Sequence, residues 1–310
     1  MNIAKIHKQF LSNRLLLSIV VFAFVALGFY STGSPWDDFS LWGSLLIQIG
    51  IAFLLLQINH IFNIIQERTF LPAIFYLLFT GCNPIFYNDI KGSIAALCFI
   101  LCYYFLLSSY QKPQSQINAL NISLLLVLGS LFWTPLLILF PVLWIGFYHF
   151  QCLNLRVFFA SLTGFVVVYL FIFAFSIFQG DENIFFSLLP QFDALFVVHN
   201  IDLTVSELLI YGLLTVTCII IGSYLFLFHV SERVWTVSVL NFFSLSAFII
   251  FILYFLQSEY KSTWGLINYI PVAFLTGHFF SRSNKKRVHY LLLIFFLFFV
   301  GMGIAQHIGS

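Results

Sequence analysis

Two adjacent carboxylates, Asp37 and Asp38, stand between long uncharged stretches in the segment GSPWDDFSLW, residues 33–42. Only 11 of the 310 residues are Asp or Glu, so a neighbouring pair calls for an explanation. Such a pair beside a membrane could take a proton from an acceptor or hold a divalent metal ion. It could equally begin the next helix, where acidic side chains suit the positive end of the helix dipole. The sequence leaves both interpretations open.

Two further segments combine charged and polar side chains. FYNDIKG contains Asp89 and Lys91, and SEYKSTWG contains Glu259, Tyr260 and Lys261. Asp89 is a third candidate catalytic carboxylate. Lys91, Glu259, Tyr260 and Lys261 are candidate substrate-binding residues. The two lysines and the tyrosine hydroxyl can bind a phosphate group, and Glu259 belongs to the same charged loop as Lys261.

The rest of the sequence contains no motif typical of a metal-binding or nucleotide-binding site. His60, His149, His229 and His278 fall near helix ends, where the dipole favours histidine, and no two of them form an HxxxH pair. The glycine-rich motifs of nucleotide-binding proteins and the GxSxG motif of serine hydrolases are missing. A divalent metal at Asp37 and Asp38 is therefore the one cofactor considered, with no signal for haem, flavin or nucleotide.

The composition determines which elements must position these residues. The chain is 61% hydrophobic and 8% charged, and it contains 42 Phe. Soluble domains carry about 25% charged residues. Uncharged runs recur at about the 20 residues that cross a bilayer as a helix, and long runs of this kind satisfy their backbone in lipid only as helices. We therefore predict a single all-α domain, residues 1–310, built as a polytopic transmembrane helix bundle.

We predict eleven spans, of which the third is short and broken by proline. They lie at 14–31, 41–60, 69–84, 92–110, 118–133, 135–151, 157–178, 206–229, 234–257, 264–280 and 288–306. Segment 179–205 is predicted to be an exterior loop with an apolar interfacial part at 183–200, because Pro190 and Asp193 interrupt it.

The charges predict the orientation of the bundle. With the N-terminus in the cytoplasm, 11 of the 13 Lys and Arg residues fall on the cytoplasmic side, leaving only Lys91 and Lys261 outside. Nine of the 11 acidic residues then lie outside or at the outer edge. The N-terminus is predicted inside and the C-terminus outside, so Asp37 and Asp38 face the exterior. The net charge of +2 reflects this distribution and implies no nucleic-acid partner.

From residue 61 to about 175 the order of features resembles the membrane-embedded glycosyltransferases of the GT-C fold. The stretch QERTFLPAIFYLLFTGCNPIFYNDIKG has a basic loop, a short helix and a proline-containing turn with Tyr and Asp. SLLLVLGSLFWTPLLILFPVLWIGF resembles the next helix pair of those enzymes, joined by a tight turn. The first loop, about ten residues, is shorter than theirs. The resemblance implies sugar transfer from a polyprenyl-phosphate donor on the outer face, with Asp37 or Asp38 as base or metal ligand.

The whole chain is also similar to a family of bacterial polytopic inner-membrane proteins, through its RTFLPAIFYLL and NYIPVAFLTG stretches. That resemblance implies a location in the bacterial cytoplasmic membrane, but it implies no mechanism. Two function classes follow. One is a GT-C-like glycosyltransferase, or a degenerate relative, acting on a polyprenyl-phosphate sugar. The other is a non-enzymatic scaffold or a lipid or polysaccharide translocation component, with membrane lipids and other membrane proteins as partners.

Overall fold

The computed structural model describes residues 14–32, 39–65, 69–180, 209–215, 217, 233–282 and 286–309. All regular elements in these ranges are helices. They are α1 (Arg14–Thr32), α2 (Phe39–Phe62), α3 (Leu71–Gly81), α4 (Ile90–Ser108), α5 (Gln116–Phe132), α6 (Phe140–His149), α7 (Leu155–Gln179), α8 (Val234–Leu256), α9 (Lys261–Arg282) and α10 (Lys286–Gly309), with a further helical segment at 209–215. Short 3-10 turns at Pro84–Tyr87, Thr134–Leu139 and Ser258–Tyr260 precede α4, α6 and α9.

Five of these helices are long and apolar enough to cross a membrane. They are α2, α4, α7, α8 and the Tyr290–His307 part of α10. Four shorter apolar helices, Leu15–Tyr30, Leu71–Gly81, Gln116–Phe132 and Thr134–His149, fall where further spans are predicted. The all-helical class and the apolar character are confirmed, whereas the count of eleven spans stays a prediction.

The chain divides into two compact units, of which the first comprises residues 1–93 and 199–310. Its centre is a pair of helices, α3 and α9. Every residue of α3 is buried, and α9 is buried without a break from Thr263 to His278. The two helices run antiparallel, since the ring of Phe79 on α3 contacts that of Tyr269 and the ring of Phe75 contacts that of Phe280.

The burial of α9 explains why a helix of this length can be more polar than the five that are long and apolar enough to cross a membrane. It contains Asn268, Thr276 and His278, yet all three side chains lie inside the protein. The Thr276 hydroxyl donates to the carbonyl oxygen of Val272 on its own helix, 2.8 Å away. A helix surrounded by other helices does not need the uniformly apolar surface that a lipid-facing span requires.

Aromatic rings and close backbone approaches hold unit one together. A Cβ on Gly277 of α9 would lie 3.2 Å from the ring of Pro72, so glycine lets α3 come close. Phe299 of α10 packs on Phe79 with ring centroids 4.9 Å apart. Phe243 of α8 stacks on Phe274 of α9 at 5.1 Å. Each such aromatic pair contributes about 0.5–1.5 kcal/mol beyond its buried area.

The second unit comprises residues 94–198. Within its described part, α5 packs closely on α7, where a Cβ on Gly164 would collide with the side chain of Ser123. The indole nitrogen of Trp144 on α6 donates to the Ser161 hydroxyl of α7 at 3.0 Å. The outer side of α7 exposes large apolar residues such as Phe171 and Phe178. An apolar exposed face of this length is typical of a helix in contact with lipid.

Some sequence predictions concern residues outside the described ranges. These are the Asp37–Asp38 pair, the interfacial segment 183–200 and most of the predicted span at 206–229. They stay predictions.

Candidate functional site at the Asp89 turn

The Asp89 turn, residues 83–93, joins the end of α3 to the start of α4. Helix α3 begins at Leu71, with Pro72 in its first turn, and ends at Gly81. The side chain of Asn83 then caps the following 3-10 turn by accepting from the Ile85 amide at 3.1 Å. Pro84 then starts the 3-10 turn, because its fixed φ suits a first helical position. The predicted break in the third span is therefore confirmed, and it brings Asp89 to the N-terminus of α4.

Asp89 is the N-cap of α4. Its Oδ1 accepts a hydrogen bond from the backbone amide of Gly92 at 2.8 Å, and its backbone carbonyl accepts from the Ser93 amide at 3.0 Å. A carboxylate at this position satisfies an amide that has no partner within the helix and interacts favourably with the helix dipole. This arrangement supports a positioning role for the carboxylate.

The other oxygen of Asp89 reaches the start of α9. Its Oδ2 accepts from the Ser262 hydroxyl at 2.9 Å and from the Thr263 hydroxyl at 2.8 Å. Gly92 leaves room for this contact, since a Cβ there would lie 2.6 Å from Thr263 Oγ1 and would also collide with the Asp89 carboxylate. The carboxylate thus joins two chain segments that lie more than 170 positions apart.

We call residues 88–91 together with 259–263 the Asp89 platform. The side chains of Lys91 and Glu259 are exposed on it, while Tyr260 and Lys261 are half-buried. The structure therefore brings five of the seven candidate residues to one end of unit one. The remaining two, Asp37 and Asp38, lie outside the described residues, in the linker between α1 and α2.

Helix α2 contributes a polar stripe that sequence analysis missed. The Ser40 hydroxyl donates to the Asn88 carbonyl at 2.9 Å, and the Gln48 amide donates to the Phe86 carbonyl at 2.7 Å and to Ser93 Oγ at 3.2 Å. Ser44 lies between them on the same face and is fully buried. The signal in the sequence was the spacing of four, which places polar residues on one face of an otherwise apolar helix.

An apolar cleft of about 450 Å³ lies beside the Asp89 turn. Its walls are α1 from Val20 to Tyr30 and α10 from Phe296 to Ile304, and its floor is the end of α3 from Leu77 to Cys82. The Tyr87 hydroxyl of the Asp89 turn donates to the Phe24 carbonyl at 3.2 Å and so fixes the α1 wall against the turn. The cleft was not predicted, since it depends on how three helices far apart in the sequence pack.

Potential metal ligands do not cluster in the part of the chain that the structure describes, where no group of three or more His, Cys, Asp or Glu side chains could hold an ion. His307 is buried, and its Nε2 lies 3.1 Å from the Gly81 carbonyl, so this nitrogen donates a hydrogen bond. A divalent metal held by Asp37 and Asp38 stays a prediction, because both residues lie outside the described ranges.

No protein-family model, curated protein or solved structure matches the chain. The function is therefore inferred from the geometry of the chain's own residues.

Proposed function

We propose that the protein acts at the exterior face of the membrane on a lipid-linked substrate, as a GT-C-like glycosyltransferase or a degenerate relative of one. The observation that carries the proposal is the Asp89 platform. Two segments, each with an acidic and a basic residue, are joined by the hydrogen bonds from Ser262 and Thr263 to Asp89. A rigid polar surface at the end of an apolar bundle suits the head group of a substrate whose tail stays in lipid.

Within this proposal Asp89 is a positioning residue, because its carboxylate already accepts three hydrogen bonds from the chain. The base is Asp37 or Asp38. Asp38 is two residues before Ser40, which is bonded to the Asn88 carbonyl of the platform. The carboxylate takes the proton of the acceptor hydroxyl as that oxygen attacks the anomeric carbon of the sugar.

The bond between the anomeric carbon and the phosphate oxygen breaks in this step, and the polyprenyl phosphate leaves as the anion. Lys91 and Lys261 are the platform's cations for that anion, since charge-assisted hydrogen bonds to phosphate are the stronger ones. The donor would be a polyprenyl-phosphate sugar, and the acceptor a hydroxyl presented from the exterior side.

A second candidate function is a non-enzymatic scaffold or a lipid or polysaccharide translocation component. The same Asp89 geometry favours this alternative. Both oxygens of the Asp89 carboxylate accept hydrogen bonds from other residues of the chain, so the side chain stabilises the fold. The buried rings at α9, such as Tyr269 on the helix itself and Phe79 of α3 packed against it, also indicate a solid centre in unit one. In this alternative Asp37 and Asp38 only begin helix α2, and replacing them would cost about 0.3–1 kcal/mol each.

The experiment that separates the two functions uses the full-length protein in liposomes that contain a radiolabelled polyprenyl-phosphate glucose or mannose, with a mixture of free sugars and glycerol added outside as hydroxyl acceptors. Loss of label from the lipid fraction is measured for the wild type, Asp37→Asn, Asp38→Asn and the double variant. Asp181→Asn is the matched control, because this carboxylate is also predicted outside but belongs to the 179–205 loop.

We expect transfer by the wild type and the control, and a loss of at least about 100-fold on replacing the critical Asp, as for removal of a general base. The change is nearly isosteric, so the amount of protein in the membrane should stay the same. Full activity of the double Asn variant would exclude the proposed base. Label that stays in the lipid with the wild type, for both donors, would favour the non-enzymatic alternative.

A further inference from the structure

The cleft between α1, α3 and α10 has the dimensions of a single hydrocarbon chain. Val20 and Tyr30 mark its ends on α1. Ten residues of helix rise by about 15 Å. This is half of the roughly 30 Å hydrocarbon core of a bilayer, and so the depth of one leaflet. The volume of about 450 Å³ lies within the usual range of small-molecule binding sites.

The chemistry of the lining excludes a polar occupant. Apart from Tyr30 at one end, the only polar side chain among the described residues of the lining is Cys82. Its thiol already donates towards the carbonyl oxygens of Leu78 and Phe299, each 3.1 Å from the sulfur. A polar ligand would lose its hydration here without gaining hydrogen bonds, which is unfavourable by several kcal/mol. A hydrocarbon chain has no such penalty.

The cleft is continuous with the lipid-facing surface of the bundle. Val300 and Ile304 in its wall are 36% and 47% exposed, and the neighbouring exposed residues of α10 include Ile294 and Leu297. The opening therefore faces sideways, where an apolar bilayer surrounds the helices. The molecules that can enter from that side are those dissolved in the leaflet.

The end of the cleft nearest the Asp89 turn sets the direction of the occupant. Tyr30 and Ile304 lie at this end, and Gly81 of the floor accepts the hydrogen bond from His307 there. Gly28 of α1 packs against the ring of Tyr87, where an added Cβ would be 3.0 Å away. A lipid head group would emerge beside this end, and the chain would run from it towards Val20 and the middle of the membrane.

We propose that the cleft binds one acyl chain of a bilayer phospholipid, taken from the leaflet on the Asp89 side. The bound chain would fill the space between α1 and α10 and link both helices to α3. This inference is independent of the proposed enzyme activity, since it rests on the cleft alone and holds equally for a scaffold.

The test fills the cleft with a side chain. Ala26 lies on the cleft wall and is exposed, so Ala26→Trp can place its indole in the cleft without displacing the core. Ala305 of α10 is also exposed but does not line the cleft, so Ala305→Trp is the matched control. Both variants and the wild type are reconstituted as full-length proteins in phosphatidylcholine nanodiscs that contain an acyl-chain diazirine phosphatidylcholine. After illumination, labelled peptides are identified by mass spectrometry.

We expect the wild type and Ala305→Trp to be labelled preferentially at residues 20–30 and 296–304, and Ala26→Trp to lose at least about fivefold of that labelling. In a second measurement, the proteins are extracted gently with detergent from the cell membrane in which they were produced. Native mass spectrometry should then find one retained phospholipid on the wild type and none on Ala26→Trp. Uniform labelling of the lipid-facing helices, or equal labelling of the two Trp variants, would overturn the proposal. Retention of a polyprenyl lipid in place of a phospholipid would also overturn it.

If Ala26→Trp fails to fold, as judged by elution volume and thermal unfolding, Val300→Trp blocks the same space from the opposite wall. None of these measurements involves sugar transfer. A failed lipid site therefore leaves the proposed glycosyltransferase activity untouched, and a failed transfer assay leaves the lipid site untouched.

Discussion

The carboxylate of Asp89 accepts a hydrogen bond of 2.8 Å from the hydroxyl of Thr263, which lies 174 positions further along the chain. This contact connects the N-terminus of α4 to the N-terminus of α9, the central helix of unit one. The carboxylate therefore joins the two charged segments, FYNDIKG and SEYKSTWG, that contain the candidate site residues. Removing the Asp89 carboxylate should therefore lower the free energy of unfolding.

Replacing Asp89 by alanine should lower the free energy of unfolding by about 1–3 kcal/mol, because the N-cap and two hydroxyl partners are lost together. Thermal unfolding of the purified protein in detergent measures the change. Lys91→Ala is the control, since Lys91 is exposed on the same turn and should leave the stability nearly unchanged. If Asp89→Ala unfolds at the wild-type temperature, the joint does not contribute as described.

Thr263 and Asp89 should be energetically coupled. Thr263→Val removes the hydroxyl and keeps the shape, so a double-mutant cycle with Asp89→Ala isolates the bond between them. We expect a coupling energy of about 0.5–3 kcal/mol, the range for residues in direct contact. Strictly additive effects of the two substitutions would show that the two residues act independently.

Gly92→Ala should destabilise the Asp89 turn by about 1–3 kcal/mol, because the new methyl group meets the Asp89 carboxylate and Thr263 Oγ1. Gly50→Ala on α2 is the matched control. Nothing lies within 4 Å of the added Cβ there, so alanine should be neutral or stabilising by up to about 1 kcal/mol. Equal melting temperatures for the two variants would contradict the close packing at Gly92.

The charge distribution predicts the topology, which can be read with fused reporters. Fusions after Lys112 and Arg233 should report a cytoplasmic position, and those near Asp38, Asn88 and Ser310 an exterior one. The loop at 283–287 should also be cytoplasmic, because it holds three of the basic residues. An exterior signal from that loop would overturn the predicted count of eleven spans.

Segment 183–200 is predicted to lie along the outer interface rather than to cross the membrane. Pro190 and Asp193 interrupt its apolar run and would be poorly tolerated in a lipid-facing span. Single cysteines placed at the polar end positions 183 and 200 should both react with an impermeant maleimide added from outside. Reaction of only one of them, with the other labelled from the cytoplasm, would indicate a crossing helix and would invert the topology after it.

The sequence by itself determined the all-helical class of the protein and, where the structure describes the chain, the approximate positions of its helices. Composition and the length of uncharged runs are local properties, and a bilayer permits few structures for such runs. Several prolines marked irregular places, although Pro271 lies inside the continuous helix α9. Pro72 lies in the first turn of the short α3, Pro84 begins the 3-10 turn after it, and Pro135 lies in the 3-10 turn before α6. These signals need no partner elsewhere in the chain, so they can be read from the residues alone.

Only the tertiary structure decided what the selected residues contact. Asp89 looked like a candidate base, and its use as a cap became visible once Ser262 and Thr263 were placed beside it. The central position of α9 and the cleft beside α1 likewise depend on helices distant in sequence. The reason is physical: helix formation follows from short-range periodicity, whereas side-chain partners and cavities follow from the packing of whole helices, which no local pattern specifies.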